Sequence, residues 1–275
     1  MSLAWVLAAA VAASGPVLEL AGEPVQGGLL VGRAEAGASV ELDGRAVPVG
    51  RDGVFLLGFG RDAAPESVLR AVGPDGVVET RHLAVGQRQY EIQRIDGLPE
   101  SKVTPPPEVL ERIRREAEAV RRARARSHAG GDFLGGFQWP AEGRVSGVYG
   151  SQRILNGEPR QPHFGVDLAL PRGTPVAAPA DGVVVFAEAD LYYSGGTLII
   201  DHGQGLSSSF LHLDRILVPV GARVVRGEPV AHAGATGRAT GPHLDWRMNL
   251  GEERIDPERV LEVLPAASGP GAGGP

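Results

Sequence analysis

Three short segments in the C-terminal half carry the residue types that handle metal ions and protons. His163-Phe-Gly165-Val-Asp167 sets an imidazole and a carboxylate four residues apart with a glycine between them. Both can converge on one ion if the chain turns there. Phe210-Leu-His212-Leu reads as an alternating strand, and Gly241-Pro-His243-Leu-Asp245-Trp-Arg247 as another. Residues i and i+2 of a strand point to the same face. His243, Asp245 and Arg247 therefore share one side, while Leu244, Trp246 and Met248 share the other, as expected of a strand that lines a site and packs a core. By spacing alone these residues fit a metal site and a set of hydrogen-bonded structural histidines equally well. The chain has no cysteine, which excludes disulfide scaffolds, thiolate metal sites and thiol nucleophiles. Any metal must be held by His, Asp and Glu.

The remaining polar features are weaker. His202, in Asp201-His202-Gly203, reads as a turn histidine bonded to backbone. His232 sits between alanines in a partly exposed strand, and His82 stands alone in the N-terminal half. No glycine-rich run leads into a helix, so no phosphate-binding loop is present. With a net charge of −6 and a pI near 5.7, the chain lacks the basic face of a nucleic-acid binder.

The elements that must position these residues are mostly strands, and the fold class expected is all-β dominated. A length of 275 residues suffices for two modest domains. From residue 16 to 100 the pattern is that of a small β-sandwich accessory domain. Asp43-Gly44, Asp52-Gly53 and Asp75-Gly76 recur as turn signals between short apolar runs, because Asp-Gly tolerates the positive φ of tight hairpins. Thr104-Pro-Pro-Pro107 then opens a linker helix over 104–128, with Pro107 suited to its first turn. Val109 or Leu110, Ile113, Ala117 and Val120 form its apolar stripe. It reads as a solvated linker lying on a neighbouring domain, or alternatively as an arginine patch for an anionic cell-wall polymer. Residues 128–137 are glycine-rich and expected as a mobile loop. An antiparallel β-sheet domain fills 135–265, and a disordered tail 266–275. Residues 1–15 are apolar and end in small residues, with Ala10-Val11-Ala12 matching a signal-peptidase site. They are expected to act as a signal peptide or, uncleaved, as an N-terminal membrane anchor.

The segments HFGVDLALPRGTPVAAPADGVV, LIIDHGQGLSSSFLHLDRILVPVGARVVRGEPVA and GATGRATGPHLDW, in that order, resemble the lysostaphin-type (LytM-like) zinc metallopeptidases over roughly residues 139–260. The resemblance implies one Zn(2+) per chain, with His163 and Asp167 as ligands, and His212 and His243 as unliganded histidines that act on a metal-activated water. The family's third ligand is the second His of a His-x-His strand motif; here that position is Asp245. Zinc accepts carboxylate oxygen in addition to imidazole nitrogen, so His163, Asp167 and Asp245 still make three. Two carboxylates would formally neutralise the ion, which predicts an alkaline-shifted rate profile. Asp245 has a second reading, a salt bridge to Arg247 that leaves the metal site incomplete. The loop Tyr149–Arg160 resembles the family's substrate groove, with Arg153 and Asn156 as candidate substrate contacts. The activity implied is hydrolysis of peptide cross-links in peptidoglycan stem peptides, in the periplasm or cell envelope. The alternative is a non-catalytic relative that binds and activates a cell-wall amidase.

Overall fold

The computed structural model describes residues 18–95 and 107–266. The leader reading for 1–15, the first residues of the predicted linker (104–106) and nearly all of the predicted tail lie outside the described residues. β-Strands dominate, with two α-helices, Pro107–Arg124 and Pro257–Val263.

The N-terminal part holds two antiparallel sheets. One has three strands (Glu19–Ala21, Leu29–Arg33, Val54–Gly58), the other four (Arg45–Val47, Ser39–Leu42, Glu66–Val72, Val78–Ala84). The Asp43-Gly44 hairpin forms as its residues dictate: Leu42 pairs with Arg45, and both turn residues take positive φ, 51° and 73°, the signature of a type I′ turn. Val54-Phe-Leu-Leu57 does not alternate in sequence because both its faces are covered. Phe55 and Leu57 join Leu30 and Leu69 in the N-terminal core. Val54 and Leu56, with Leu29, join the core of the C-terminal part. The two parts thus share an apolar contact, reinforced where Arg88 meets the buried Asp256 at 2.8 Å and where Arg61 Nε donates to the Gly150 carbonyl at 2.8 Å.

The C-terminal part is built on one large antiparallel sheet. Its main path runs Arg223–Val224, Gly182–Leu191, Gly195–Asp201, Leu206–Ile216, His243–Leu250, Val166–Ala169, Arg144–Gly147. One face is dry: Leu168, Leu198, Ile200, Phe210, Leu244, Trp246 and Met248 form its core. The opposite face carries Asp167, Ile199, Ser209, Asp245 and Arg247, set side by side by the register Asp167↔Asp245, Arg247↔Ser209 and Ser209↔Ile199. The helix Pro107–Arg124 lies on that second face. Ala119, Val120 and Ala123 pack against Phe186, Leu191 and Ile199, while its other side carries i,i+4 ion pairs such as Glu111–Arg115 at 4.0 Å and Glu118–Arg122 at 3.9 Å.

Residues 128–137 are not the loose loop expected from their glycines. Phe133 and Phe137 are buried, a 3₁₀ turn forms over Asp132–Gly135, and His128 sits between Asp201 (2.5 Å) and Asp132 (3.1 Å). The two aromatic anchors outweigh the glycine content.

Candidate metal centre and catalytic site

Val166–Ala169 and His243–Leu250 are neighbouring strands, and their register puts Asp167 directly opposite Asp245. His163 approaches from the loop just before the first of these strands. Its Nε2 lies 3.1 Å from Asp167 Oδ1 and 3.5 Å from Asp245 Oδ1. One ligand atom from each of the three falls within 4.8 Å of the others. The glycines of the segment permit this crowding. A Cβ on Gly165 would stand 2.7 Å from Asp245 Oδ1 and 2.6 Å from Arg247 Cγ, and one on Gly147 would collide with Asp167 Oδ2.

The contact between His163 and Asp167 is ionic and not a directed hydrogen bond. His163 Nε2 and Asp167 Oδ1 are both buried and find no hydrogen-bond partner. Buried polar atoms are nearly always satisfied, and these two meet only each other's charge, at 3.1 Å, so a cation held by both would fit their chemistry. The opposite ring nitrogen, Nδ1, donates to the Val148 carbonyl at 3.2 Å, which orients the ring with Nε2 toward the carboxylates, the arrangement of a metal-ligating histidine and its outer partner. An imidazole and two carboxylates are a donor set suited to a divalent ion of zinc's type. With no ion, burial pulls the His163 pKa down, but Asp167 and Asp245 outweigh it and raise it to about 10. A cation entering the site must therefore displace a proton.

Asp245 carries a second attachment. Arg247, two residues on and on the same face, donates from Nε to Oδ1 at 2.9 Å, and from Nη2 to Oδ2 at 2.5 Å. Burial opposes ionisation of Asp245, yet Arg247 and His163 hold its carboxyl well below the usual range. The salt bridge to Arg247 is therefore formed, and Asp245 Oδ1 also faces His163 Nε2 at 3.5 Å. Each carboxylate oxygen has two lone pairs, so the arginine fork does not use up Oδ1, the oxygen that faces His163.

His212 and His243 lie together beside this cluster, ring centroids 4.7 Å apart and planes tilted by 44°. Each is fixed through Nδ1 to a backbone carbonyl, His212 to Thr236 at 2.8 Å and His243 to Gly241 at 2.9 Å. If Nδ1 carries the proton, as those acceptors require, Nε2 of each ring remains a proton acceptor. Burial lowers the His212 pKa, favouring its neutral form. His212 also has φ +62° inside the strand Leu206–Ile216, an uncommon conformation for a residue with a Cβ, and such strain clusters at functional sites. The pairing of the segment is irregular there, with register shifts at Gly196/Leu198 and Leu213/Arg215, and Thr236 Oγ1 bridges the two strands, accepting from Gly196 N and donating to the Leu213 carbonyl, both at 2.8 Å.

The other sequence candidates fall elsewhere. Arg153 and Asn156 are both exposed, on a hairpin formed by Gln152–Leu155 and Glu158–Pro159, with Asn156 in its turn at φ +50°. That hairpin pairs in parallel with Ile92–Ile95, a tether from the N-terminal part that the sequence did not suggest. His202 is fully buried and bonded to the Asp181 carbonyl (2.7 Å) and Ser208 Oγ (2.9 Å), outside the site, as its turn setting implied. His232 takes no part in it either.

Set against known proteins, residues 161–257 match the model of peptidase family M23. This segment begins just before His163 and ends just past the last strand of the sheet. A crystal structure of a Pseudomonas aeruginosa protein assigned to peptidase M23 aligns over 88% of this chain and 96% of its own, at 31% identity and a TM-score of 0.68. The chain belongs to peptidase family M23. The chain is also 45% identical over 106 residues to the peptidoglycan DD-endopeptidase ShyA of Vibrio cholerae, covering 38% of this chain and 24% of that protein. It is 38% identical over 103 residues to the DD-carboxypeptidase/endopeptidase Mpg of Neisseria meningitidis, covering 38% and 24%. The chain thus spans about a quarter of the length of these curated relatives. The likeness to the Pseudomonas protein covers a larger share of this chain than the likeness to either of these relatives.

Proposed function

We propose that this M23 chain is a zinc-dependent endopeptidase that hydrolyses peptide cross-links in bacterial peptidoglycan, in the periplasm or cell envelope. The observation that carries the reading is the convergence of His163 Nε2, Asp167 and Asp245, two of whose buried atoms lack hydrogen-bond partners, beside two imidazoles anchored through Nδ1. The relatives named as DD-endopeptidases support the D,D cross-link between stem peptides as the bond cut.

His163, Asp167 and Asp245 would hold the ion, which when bound supplies Lewis acidity toward a carbonyl oxygen and lowers the pKa of a water. The chain's own residues do the rest. Val148 fixes the ring of His163, and Arg247 fixes the plane of Asp245. Of His212 and His243, one accepts the proton of the attacking water at Nε2. The other, when protonated at Nε2 as well as Nδ1, would donate to the developing oxyanion or protonate the leaving amine. Exposed Arg153 and Asn156, on the hairpin before His163, are proposed contacts to the peptide.

Arg247 also changes the charge argument drawn from sequence. A divalent cation with two carboxylates sums to zero, but the guanidinium fork on Asp245 returns one positive charge. That equals the sum for one carboxylate and two imidazoles, so the reason for an alkaline-shifted profile is gone.

The test is metal analysis of the purified chain together with muropeptide release. One zinc per chain, lost in Asp167→Ala, and release abolished by chelator are expected. A chain that binds no zinc and releases nothing, yet stimulates an amidase, would replace this reading with that of a non-catalytic activator.

A further inference from the structure

Beyond Arg247, the functional face of the sheet dips into a cavity of about 180 Å³ roofed by the helix Pro107–Arg124. Three guanidinium groups reach its wall: Arg124 from the last turn of the helix, Arg247 from the strand His243–Leu250, and Arg254 from the short strand Glu253–Ile255. Only Arg247 has a carboxylate partner, Asp245. Arg124 donates from Nη2 to Ser209 Oγ at 3.2 Å and Arg254 from Nη1 to Asn249 Oδ1 at 3.5 Å, both neutral acceptors. Among the described residues no carboxylate lies within ion-pair reach of either. The one acid on the wall, Glu116, is turned to Arg112 Nε (2.6 Å) and the Tyr192 N–H (2.8 Å). Arg124 Nε is buried with no partner at all. Burial, with Arg254 and Arg247 nearby, disfavours the charged form of Arg124 and lowers its pKa to about 9. Buried charges are paired, and planar guanidinium forks match carboxylate geometry.

We propose that this cavity is a carboxylate subsite, in which Arg124 and Arg254, backed by Arg247, hold an acidic group of a peptide substrate. The proposal rests on the peptidase reading above. Arg247 follows Asp245 by two residues, roughly 7 Å along a strand, and Asn249, the partner of Arg254, by four, roughly 14 Å. An extended peptide whose scissile bond lies at the His/Asp cluster would bring a carboxylate two to four residues away into the cavity. The linker helix then becomes part of the substrate groove through Arg124, and the site depends on its docking.

The test is calorimetric binding to the full chain of a soluble stem tetrapeptide with free carboxylates and of the same peptide fully amidated. The acid form should bind at least about tenfold more tightly, since hydrogen bonds to charged groups are the strong ones. That preference should fall below about threefold in Arg124→Gln and in Arg254→Gln, and be partly kept in Arg124→Lys, which retains the charge without the fork. Equal binding of acid and amide, or a preference that survives both glutamine variants, overturns the subsite. So does competition by inorganic phosphate alongside equal binding of the two peptides, which would leave only a general anion site. Cross-link cleavage measured in parallel separates the two ideas. Cleavage with no acid preference removes the subsite alone, and an acid preference without cleavage removes the endopeptidase reading alone.

Discussion

Replacing Arg247 by glutamine tests whether Asp245 belongs to a metal site or only to an arginine. The Asp245 side chain is 4% exposed and that of Arg247 22%, so the pair is largely out of water. Removing one partner of a buried ion pair costs about 3–5 kcal/mol, because the other charge is left uncompensated. The low end applies here, as the His163 ring still stands 3.5 Å from Asp245 Oδ1. We expect a loss of about 3 kcal/mol in chelated protein, which at roughly 2–4 °C per kcal/mol lowers the melting temperature by about 6–12 °C. Zinc restores the missing counter-charge, so the loss should shrink to about 1 kcal/mol in the loaded protein. The assay is thermal unfolding of wild type and Arg247→Gln, each with chelator and with zinc. An equal drop in both conditions would show that Asp245 does not sense the ion. A drop under about 1 kcal/mol in chelator would reduce the pair to the value of a surface contact. The same variant should move the rate profile to higher pH than wild type, because it restores the neutral sum of ion and two carboxylates.

Alanine at either His212 or His243 should lower muropeptide cleavage by about 100-fold or more if each acts in proton transfer, with zinc content unchanged by metal analysis; full activity in both refutes the roles given them. Asp167→Ala should lose both the ion and the activity, read by the same two assays. His202, fully buried, has its pKa pushed down to about 4 by burial, below the value of about 6.5 of an unfolded histidine. Between those values the unfolded chain binds more protons, so stability is complete above about pH 6.5 and falls as pH drops toward 4, by about 3 kcal/mol. Urea unfolding from pH 7 to pH 4 should show that slope and a shallower one in His202→Gln; identical slopes would rule out His202 as its source.

What could be read in the sequence was local, and what could not depended on contacts between distant segments. Asp43-Gly44 fixes its hairpin because only residues that tolerate positive φ close a two-residue turn with the right twist. The face-sharing of His243, Asp245 and Arg247 follows from the period of a strand, and the buried Leu244, Trp246 and Met248 behind them agree. Asp256-Pro257-Glu258 is a helix start written in local residues: Asp256 Oδ1 accepts from Glu258 N at 3.1 Å and Pro257 opens the helix. The glycines of 128–137 suggested freedom, but burial of Phe133 and Phe137 decides that segment, and only the fold supplies the surface they bury against. The arginines are the least legible part: Arg124 stands in the last turn of its helix, where a basic residue suits the dipole in any case, and neither it nor Arg254 sits in a motif. Register and the docking of one helix bring them to Arg247, and through Arg247 to Asp245. The departure of position 245 from histidine therefore makes sense only with position 247 beside it. An aspartate ligand brings one negative charge more than an imidazole, and an arginine two residues on, on the same pleat, returns it. If that compensation holds, Asp245→His in the presence of Arg247 should be worse for activity than Asp245→His paired with Arg247→Gln, because the first leaves a buried guanidinium facing the ion with no carboxylate between them. A double-mutant cycle on cleavage rate measures this coupling directly, and strict additivity of the two substitutions would show that the residues were chosen independently.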